Sequence, residues 1–357
     1  MSLGAWFLTL HEIDTPALLL DLDAMGRNLA KMAAFFGNGP TKLRPHYKNH
    51  KCPALASRQI AAGAIGMTCA TLSEAEALVS NGITSLLLSG EVAGDRKIQR
   101  FIELARQADV IAAVDDARVA EAVAAAARQK NCRASVVVDV DVGLKRTGIK
   151  PGEPALQLAR KVLEEGLSLR GLMGYEGRLT QPAGPEKDAV YSLAMSTLVD
   201  CRSLLERNGI PVEIVSGGGT STYSLSRRFP GVTEIQSGSY LVMDTDYQKT
   251  CADFELALTV LSTVISKTQG ERLIVDAGLK SVSSERGMST IKERPGLRLR
   301  KLNAEHGIID ILDAADSCNV GDTIEIWPHY SDATINLHER IYGVRNGQIA
   351  EILKLQG

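Results

Sequence analysis

The chain has 357 residues, 45% of them hydrophobic and 23% charged, and 40 Lys and Arg against 42 Asp and Glu give a net charge of −2. A packed core is expected and disorder excluded; one large domain plus a smaller one is the expected division. The lack of any long basic block speaks against nucleic acid, and no apolar run reaches the roughly 18 residues of a membrane helix.

The opening MSLGAWFLTLHEID lacks the basic and apolar regions of a secretory signal. From about 42 to 240, short apolar runs alternate with helical stretches. The predicted strands are 42–47, 64–69, 84–89, 109–114, 135–141, 169–175, 211–216 and 232–236, with helices such as 73–81, 116–129 and 153–166 between them. Ser73 with Glu76 three residues on predicts a capping box, and Asn81-Gly82 predicts the stop. Eight alternating strands favour an α/β class chain built as a closed (β/α)8 TIM-like barrel over an open doubly wound sheet. Beyond about 250 the helical pattern fades. Runs at 255–265, 272–276, 322–327 and 340–344 read as antiparallel strands of an all-β domain. The expected domains are thus 14–248, the barrel, and 249–357 with 1–13, the β domain. The run 16–21 lies outside the eight strands, precedes a helix at 23–36, and is open to pairing with the β domain. Six scattered cysteines without a CxxC pair predict neither a zinc ribbon nor a disulfide framework, and fit a reducing cytoplasm.

A barrel keeps its active site at the C-terminal ends of its strands. The first predicted strand ends in Arg44-Pro-His-Tyr-Lys-Asn-His-Lys51. Alternation puts Arg44, His46 and Lys48 on one face. Cationic neighbours and partial burial can make Lys48 a reactive amine, with Arg44, His46 and Lys51 supplying that pressure; a solvated basic loop is the alternative. The seventh strand leads into Ser216-Gly-Gly-Gly-Thr-Ser221, the eighth into Gly238-Ser239-Tyr240. Gly218 and Gly219 allow close approach of a ligand, and Ser216, Thr220, Ser239 and Tyr240 add hydroxyls, as at the phosphate sites of barrels. A reactive lysine and a phosphate cradle together point to pyridoxal 5′-phosphate. Arg146, after the fifth strand, can bond the phenolic oxygen of its ring. Tyr175, in Gly174-Tyr-Glu-Gly-Arg178 after the sixth, can stack on that ring, or simply pack at the rim.

These blocks, with Asp14-Thr-Pro-Ala-Leu18, Asp141-Val-Gly-Leu-Lys-Arg146, Asp276-Ala-Gly278 and Glu305-His-Gly307, make the chain resemble the pyridoxal-phosphate enzymes of the alanine racemase-like fold, in the D-threonine aldolase and D-serine dehydratase branch. The resemblance implies that Lys48 carries the cofactor, and that the protein is a homodimer whose β domain helps close the partner's site. It also implies a Pro-x-His-x-(Asp or Cys)-x-Thr metal motif whose ion grips the substrate's β-hydroxyl. Here the stretch reads Pro328-His-Tyr-Ser-Asp-Ala-Thr334. Asp332 falls on the acidic ligand, Tyr330 on the histidine, and His329 one place early. Either His329 swings in beside Asp332 to hold Mn, Mg or Zn, or Tyr330 acts directly on the substrate. His306 and His338 have structural or surface roles by default.

The activity implied is retro-aldol cleavage of a D-configured β-hydroxy amino acid to glycine and an aldehyde, with Lys48, His50, His329, Tyr330 or a group at Asp332 moving the protons. The alternatives are D-serine dehydratase-like β-elimination to a keto acid and ammonia, racemisation, and cofactor binding without turnover. The implied partner is a small amino acid, with no nucleic acid and no membrane.

Overall fold

The computed structural model describes residues 9–177, 184–267 and 272–357. Arg178 and the first eight residues of the expected 1–13 segment lie outside the described residues. The elements begin with β1 (Ala17–Asp21), α1 (Leu22–Gly37), β2 (Lys42–Leu43), α2 (Pro53–Ala61), β3 (Met67–Cys69), α3 (Leu72–Ser80), β4 (Ser85–Leu88), α4 (Asp95–Ala105) and β5 (Asp109–Val114). They continue with α5 (Ala117–Gln129), β6 (Ser135–Asp139), α6 (Glu153–Glu164), β7 (Ser168–Met173), α7 (Pro185–Arg207), β8 (Ile214–Gly217) and β9 (Glu234–Ile235). Then come β10 (Leu258–Ser266), β11 (Arg272–Val275), β12 (Thr290–Ile291), β13 (Leu297–Leu302), β14 (Gly307–Ile311), β15 (Thr323–Trp327), α8 (Ser331–Ile335), β16 (Arg340–Arg345) and β17 (Gln348–Lys354). Two compact units result. One holds residues to Lys31, Asn49–Ala54 and Ser239–Gln356; the other holds Met32–Lys48 and Leu55–Gly238.

The second of these is the barrel. Its eight strands run parallel in the order β2-β9-β8-β7-β6-β5-β4-β3. Between the edge strands the Ile65 N–H donates to Leu43 O at 2.9 Å, the Thr68 N–H to Pro45 O at 2.8 Å, and His46 bridges Thr68 in parallel, which closes the ring. The strands read as continuous apolar runs because helices cover one face and the barrel interior fills the other. Leu87, Ile111, Ala113, Val137, Met173 and Ile214 form one buried cluster across five strands.

Two local expectations are corrected. The ladder of β2 ends at Leu43; Pro45 has no N–H to donate, and Tyr47–Asn49 winds into a 3-10 turn. Strand alternation therefore fails over Arg44, His46 and Lys48. Arg44 instead turns into the protein, where its Nε donates to Glu234 at 3.0 Å and its guanidinium to Ser85 Oγ at 3.1 Å. Already neutralised there, Arg44 is not a free charge pressing on Lys48. Likewise the Lys51 ammonium is spent on Asn336 Oδ1 at 2.6 Å. The second correction concerns α3. Thr71, not Ser73, caps it, accepting from the Glu74 N–H at 3.2 Å, while Glu74 Oε2 accepts from the Ala70 N–H at 2.6 Å. TLSEAE holds two overlapping capping frames, and the earlier one starts the helix so that Leu72 is buried. Ser73 and Glu76 bind Arg100 instead. Asn81 and Gly82, at φ +81°, close the helix as expected.

In the other unit, one sheet runs β13-β14-β11-β10-β1-β16-β17, with β15 joining β10 to β12. The early run at 16–21 does belong here: β1 lies antiparallel to β10 and parallel to β16. Ala17, Leu19 and Leu261 pack together with Tyr342 and Val344 on one face.

Candidate active site

The turn after β2 presents Lys48. Ser89 Oγ donates to Cys69 O at 3.0 Å, so toward His46 Nε2, 3.3 Å away, it accepts. That fixes the proton of the imidazole on Nε2 and leaves Nδ1 to accept from the Lys48 N–H at 3.4 Å. His46 thus orients the lysine's backbone. The Lys48 ammonium stands 6.0 Å from the centre of the Tyr175 ring, and the Arg146 guanidinium 5.9 Å from the same centre. Among the described residues neither cationic head has a hydrogen-bond or ion-pair partner. Two cations beside one aromatic ring are an arrangement able to attract a flat anionic ligand.

The turn after β8 stands in the same unit. Gly218 adopts φ +70°, and a Cβ there would come within 3.0 Å of Ile235. Thr222 Oγ1 accepts from the Gly219 N–H at 3.1 Å and donates to Glu176 Oε1 at 2.8 Å. Ser216 is fully buried and accepts from Gln236 Nε2 at 2.9 Å. Gly238 lies so close to His46 that a Cβ would meet its carbonyl oxygen at 2.5 Å. Ser239 and Tyr240 belong to the other unit, where Tyr240 is buried and its ring centre lies 5.6 Å from that of Phe254.

The loop carrying Arg146 is held by carboxyls. Asp141 accepts from the N–H groups of Gly143 at 2.9 Å and Lys145 at 3.0 Å, Asp115 from the Gly148 N–H at 3.0 Å, and Asp139 from Thr147 Oγ1 at 3.0 Å. Burial, then the hydrogen bond with Glu91, push the Asp139 carboxyl up to about 8. Between its unfolded value near 4 and about 8, the native state therefore binds the extra proton, and stability falls as pH rises through that window. Asp139→Asn is expected to gain stability on the wild type from pH 5 to pH 8, measured by urea unfolding at both; a constant difference would contradict the shift.

In the other unit a second cluster surrounds Asp332. Asn49 Nδ2 donates to Asp332 Oδ1 at 2.6 Å and to Ser331 Oγ at 3.0 Å, and the Tyr330 hydroxyl donates to Asp332 Oδ2 at 3.3 Å. The Arg286 guanidinium lies 3.6 Å from the Tyr330 ring centre. Burial first, then the Asp332 charge, raise the Tyr330 phenol, so it remains a proton donor. Asp244 accepts from the Ser331 N–H and Oγ, both at 2.8 Å, and burial still pushes it up to about 6. His329 has other company: Nδ1 meets Thr245 Oγ1 at 2.9 Å, and Nε2 faces Lys249 at 3.4 Å and Asp246 at 3.7 Å. Burial and Lys249 keep this imidazole neutral. It shares no hydrogen-bond partner with Asp332, and among the described residues no group of three His, Cys, Asp or Glu side chains is set to hold a metal. His50 is fully buried, and its Nδ1 accepts from the Cys52 N–H at 3.1 Å.

Of the residues singled out in the sequence, the barrel brings Lys48 and Arg146 to the ring of Tyr175. The sequence reading gave no part to Asn49, Asp139, Glu176 or Arg286. Asn49 stood unread between Lys48 and His50, and the buried carboxyls carry no local signal, since only long-range packing separates them from surface acids.

Comparison with known proteins matches two family models: alanine racemase N-terminal domain over residues 20–246, and putative serine dehydratase domain over 257–344. A D-threonine aldolase from Arthrobacter sp is 36% identical, the alignment covering 97% of this chain and 93% of that protein. The crystal structure of D-threonine aldolase from Filomicrobium marinum superimposes with a TM-score of 0.95 at 36% identity, covering 98% of this chain and 97% of that one. D-threo-3-hydroxyaspartate dehydratase from Delftia sp. HT23 gives a TM-score of 0.90 at 29% identity, covering 98% and 99%.

Proposed function

We propose, from the premise that this chain belongs to the D-threonine aldolase and D-serine dehydratase-like family of alanine racemase-fold pyridoxal-phosphate enzymes, that it is a lyase cleaving D-configured β-hydroxy amino acids to glycine and an aldehyde. The observation that carries this reading is the pair of cations, Lys48 and Arg146, unpartnered among the described residues and set around Tyr175. The residues fit pyridoxal phosphate: an amine unspent among the described residues for its aldehyde, a flat phenol ring, a guanidinium on a held loop, and a glycine- and hydroxyl-rich turn for its phosphate. When bound, that cofactor supplies an electron sink for bond cleavage at Cα. Lys48 Nζ would hold the cofactor's aldehyde, and it is the amine placed to hold or move a proton. Tyr175 bounds the site with an apolar face, and Arg146 supplies a permanent positive charge.

Retro-aldol cleavage requires the β-hydroxyl to lose its proton as the Cα–Cβ bond breaks. Within the Asp332 cluster, the raised Tyr330 phenol makes that residue a hydrogen-bond donor to Asp332 rather than a base. His329 and Asp332 do not fit a shared divalent ion, because His329 Nε2 faces the Lys249 ammonium and its other nitrogen is taken by Thr245.

A cytoplasmic homodimer belongs to the same reading. None of the six cysteines is in a disulfide, which fits a reducing compartment; the dimer rests on the family likeness, and mass in solution tests it. The deciding assay incubates the enzyme with D-threonine and D-serine, with and without EDTA. Aldehyde and glycine at a rate indifferent to EDTA are expected. Keto acid and ammonia would replace the aldolase reading by elimination, and a rate lost to EDTA and restored by Mn²⁺ would overturn the reading that His329 and Asp332 hold no shared ion.

A further inference from the structure

Glu176 is an acid in an unusual place. It is 1% exposed, and its Oε2 is buried without any hydrogen-bond partner. Among the described residues no cation compensates it: the groups acting on it are its own N–H, the Thr222 hydroxyl and the Gly218 N–H. The titratable neighbour on the adjoining helix, Tyr191 of α7, is itself fully buried with a hydroxyl unpartnered among the described residues, and burial and then the Glu176 charge raise its phenol. The Tyr191 oxygen lies 3.6 Å from where a Cβ of Gly218 would stand. Both buried groups therefore flank the left-handed Gly218. The chain of bonds from Gly219 N–H to Thr222 Oγ1 to Glu176 Oε1 ties the next residue of the same turn to this carboxyl.

An ionised carboxylate stripped of water, with one oxygen unsatisfied and no counter-charge, is far costlier than a neutral acid. Burial indeed drives this group toward its protonated form. A negative charge there would also stand directly behind the turn assigned to the cofactor's phosphate, and in a low-dielectric interior that repulsion is little screened.

We propose that Glu176 is a positioning residue that works as a neutral carboxylic acid, so that the glycine-rich turn takes its anion only while Glu176 holds a proton. The proposal rests on the assignment of that turn to the phosphate. Its consequence is a proton linkage: dianion binding and protonation of Glu176 favour each other by the same factor.

Sulfate, which keeps its charge from neutral to alkaline pH, is the probe. Its affinity for the full chain, dialysed free of phosphate, is measured by calorimetry for the wild type, Glu176→Gln and Glu176→Ala, with circular dichroism confirming the fold of each. Wild-type affinity is expected to fall by about tenfold per pH unit once Glu176 ionises, as one linked proton demands. Glu176→Gln, which keeps the neutral shape, is expected to rescue binding at alkaline pH and to abolish the linked proton uptake. Glu176→Ala is expected to bind weakly at every pH. An alkaline loss in Glu176→Gln identical to the wild type would overturn the proposal, since the proton would then sit elsewhere. A wild type that binds no sulfate would sink the anion-binding assignment of the turn and this proposal with it, while leaving the covalent role of Lys48 standing.

Discussion

Replacing Lys48 with alanine is expected to lower turnover by about 10²–10⁴-fold, the span typical of losing a positioned proton-transfer group, with the covalent hold on the cofactor lost as well. The fold is expected to survive, because among the described residues the ammonium has no hydrogen-bond or ion-pair partner to leave unpaired. Lys51 cannot substitute, since it stands at φ +47° with its head bound to Asn336. Steady-state kinetics with D-threonine and a thermal melt make the check. Retained turnover, or a collapse of the melt, would contradict the role assigned to this residue.

The largest effect on stability is expected from the Arg44–Glu234 pair. Their side chains are 6% and 3% exposed, the contact is 3.0 Å, and Ser85 takes the remaining guanidinium edge. Gly66 makes room for it: a Cβ there would come within 2.3 Å of the guanidinium. Glu234→Ala leaves a buried, uncompensated guanidinium and is expected to cost about 3–5 kcal/mol. A double replacement by apolar residues of similar volume is expected to recover most of that loss, because the pair itself gains little over packed hydrocarbon once desolvation is counted. Urea unfolding of both variants tests this; a single variant within about 1 kcal/mol of the wild type would show that the guanidinium reaches water.

The barrel was legible because its central strands, such as β4, β5 and β6, are largely buried and read as apolar runs, with helices at regular intervals. Even the two-residue β9 fell inside its predicted run. The β domain was legible only in part. β10, β11, β15 and β16 announce themselves by β-branched residues, whereas β13, LRLRKL, alternates arginine and leucine with every charged residue exposed, and was left unassigned. The break at Pro45 mattered most for the site. Treating 42–47 as one strand placed Arg44 and Lys48 together, when the proline and the turn behind it send Arg44 into a buried ion pair and Lys48 toward Tyr175. Lys48, Arg146 and Tyr175 could be found because they sit at strand ends. Asn49 and Arg286 meet Asp332 and Tyr330 only through contacts spanning much of the chain, and no spacing in the sequence encodes that meeting.

The central assignment, that Lys48 is the amine joined to the cofactor, is tested most directly by borohydride reduction of the cofactor-saturated enzyme followed by peptide mass mapping. A reduced pyridoxyl label on the peptide containing Lys48, and on no other, is the expected result. A label on Lys51, Lys145 or another lysine, with position 48 unmodified, would contradict it.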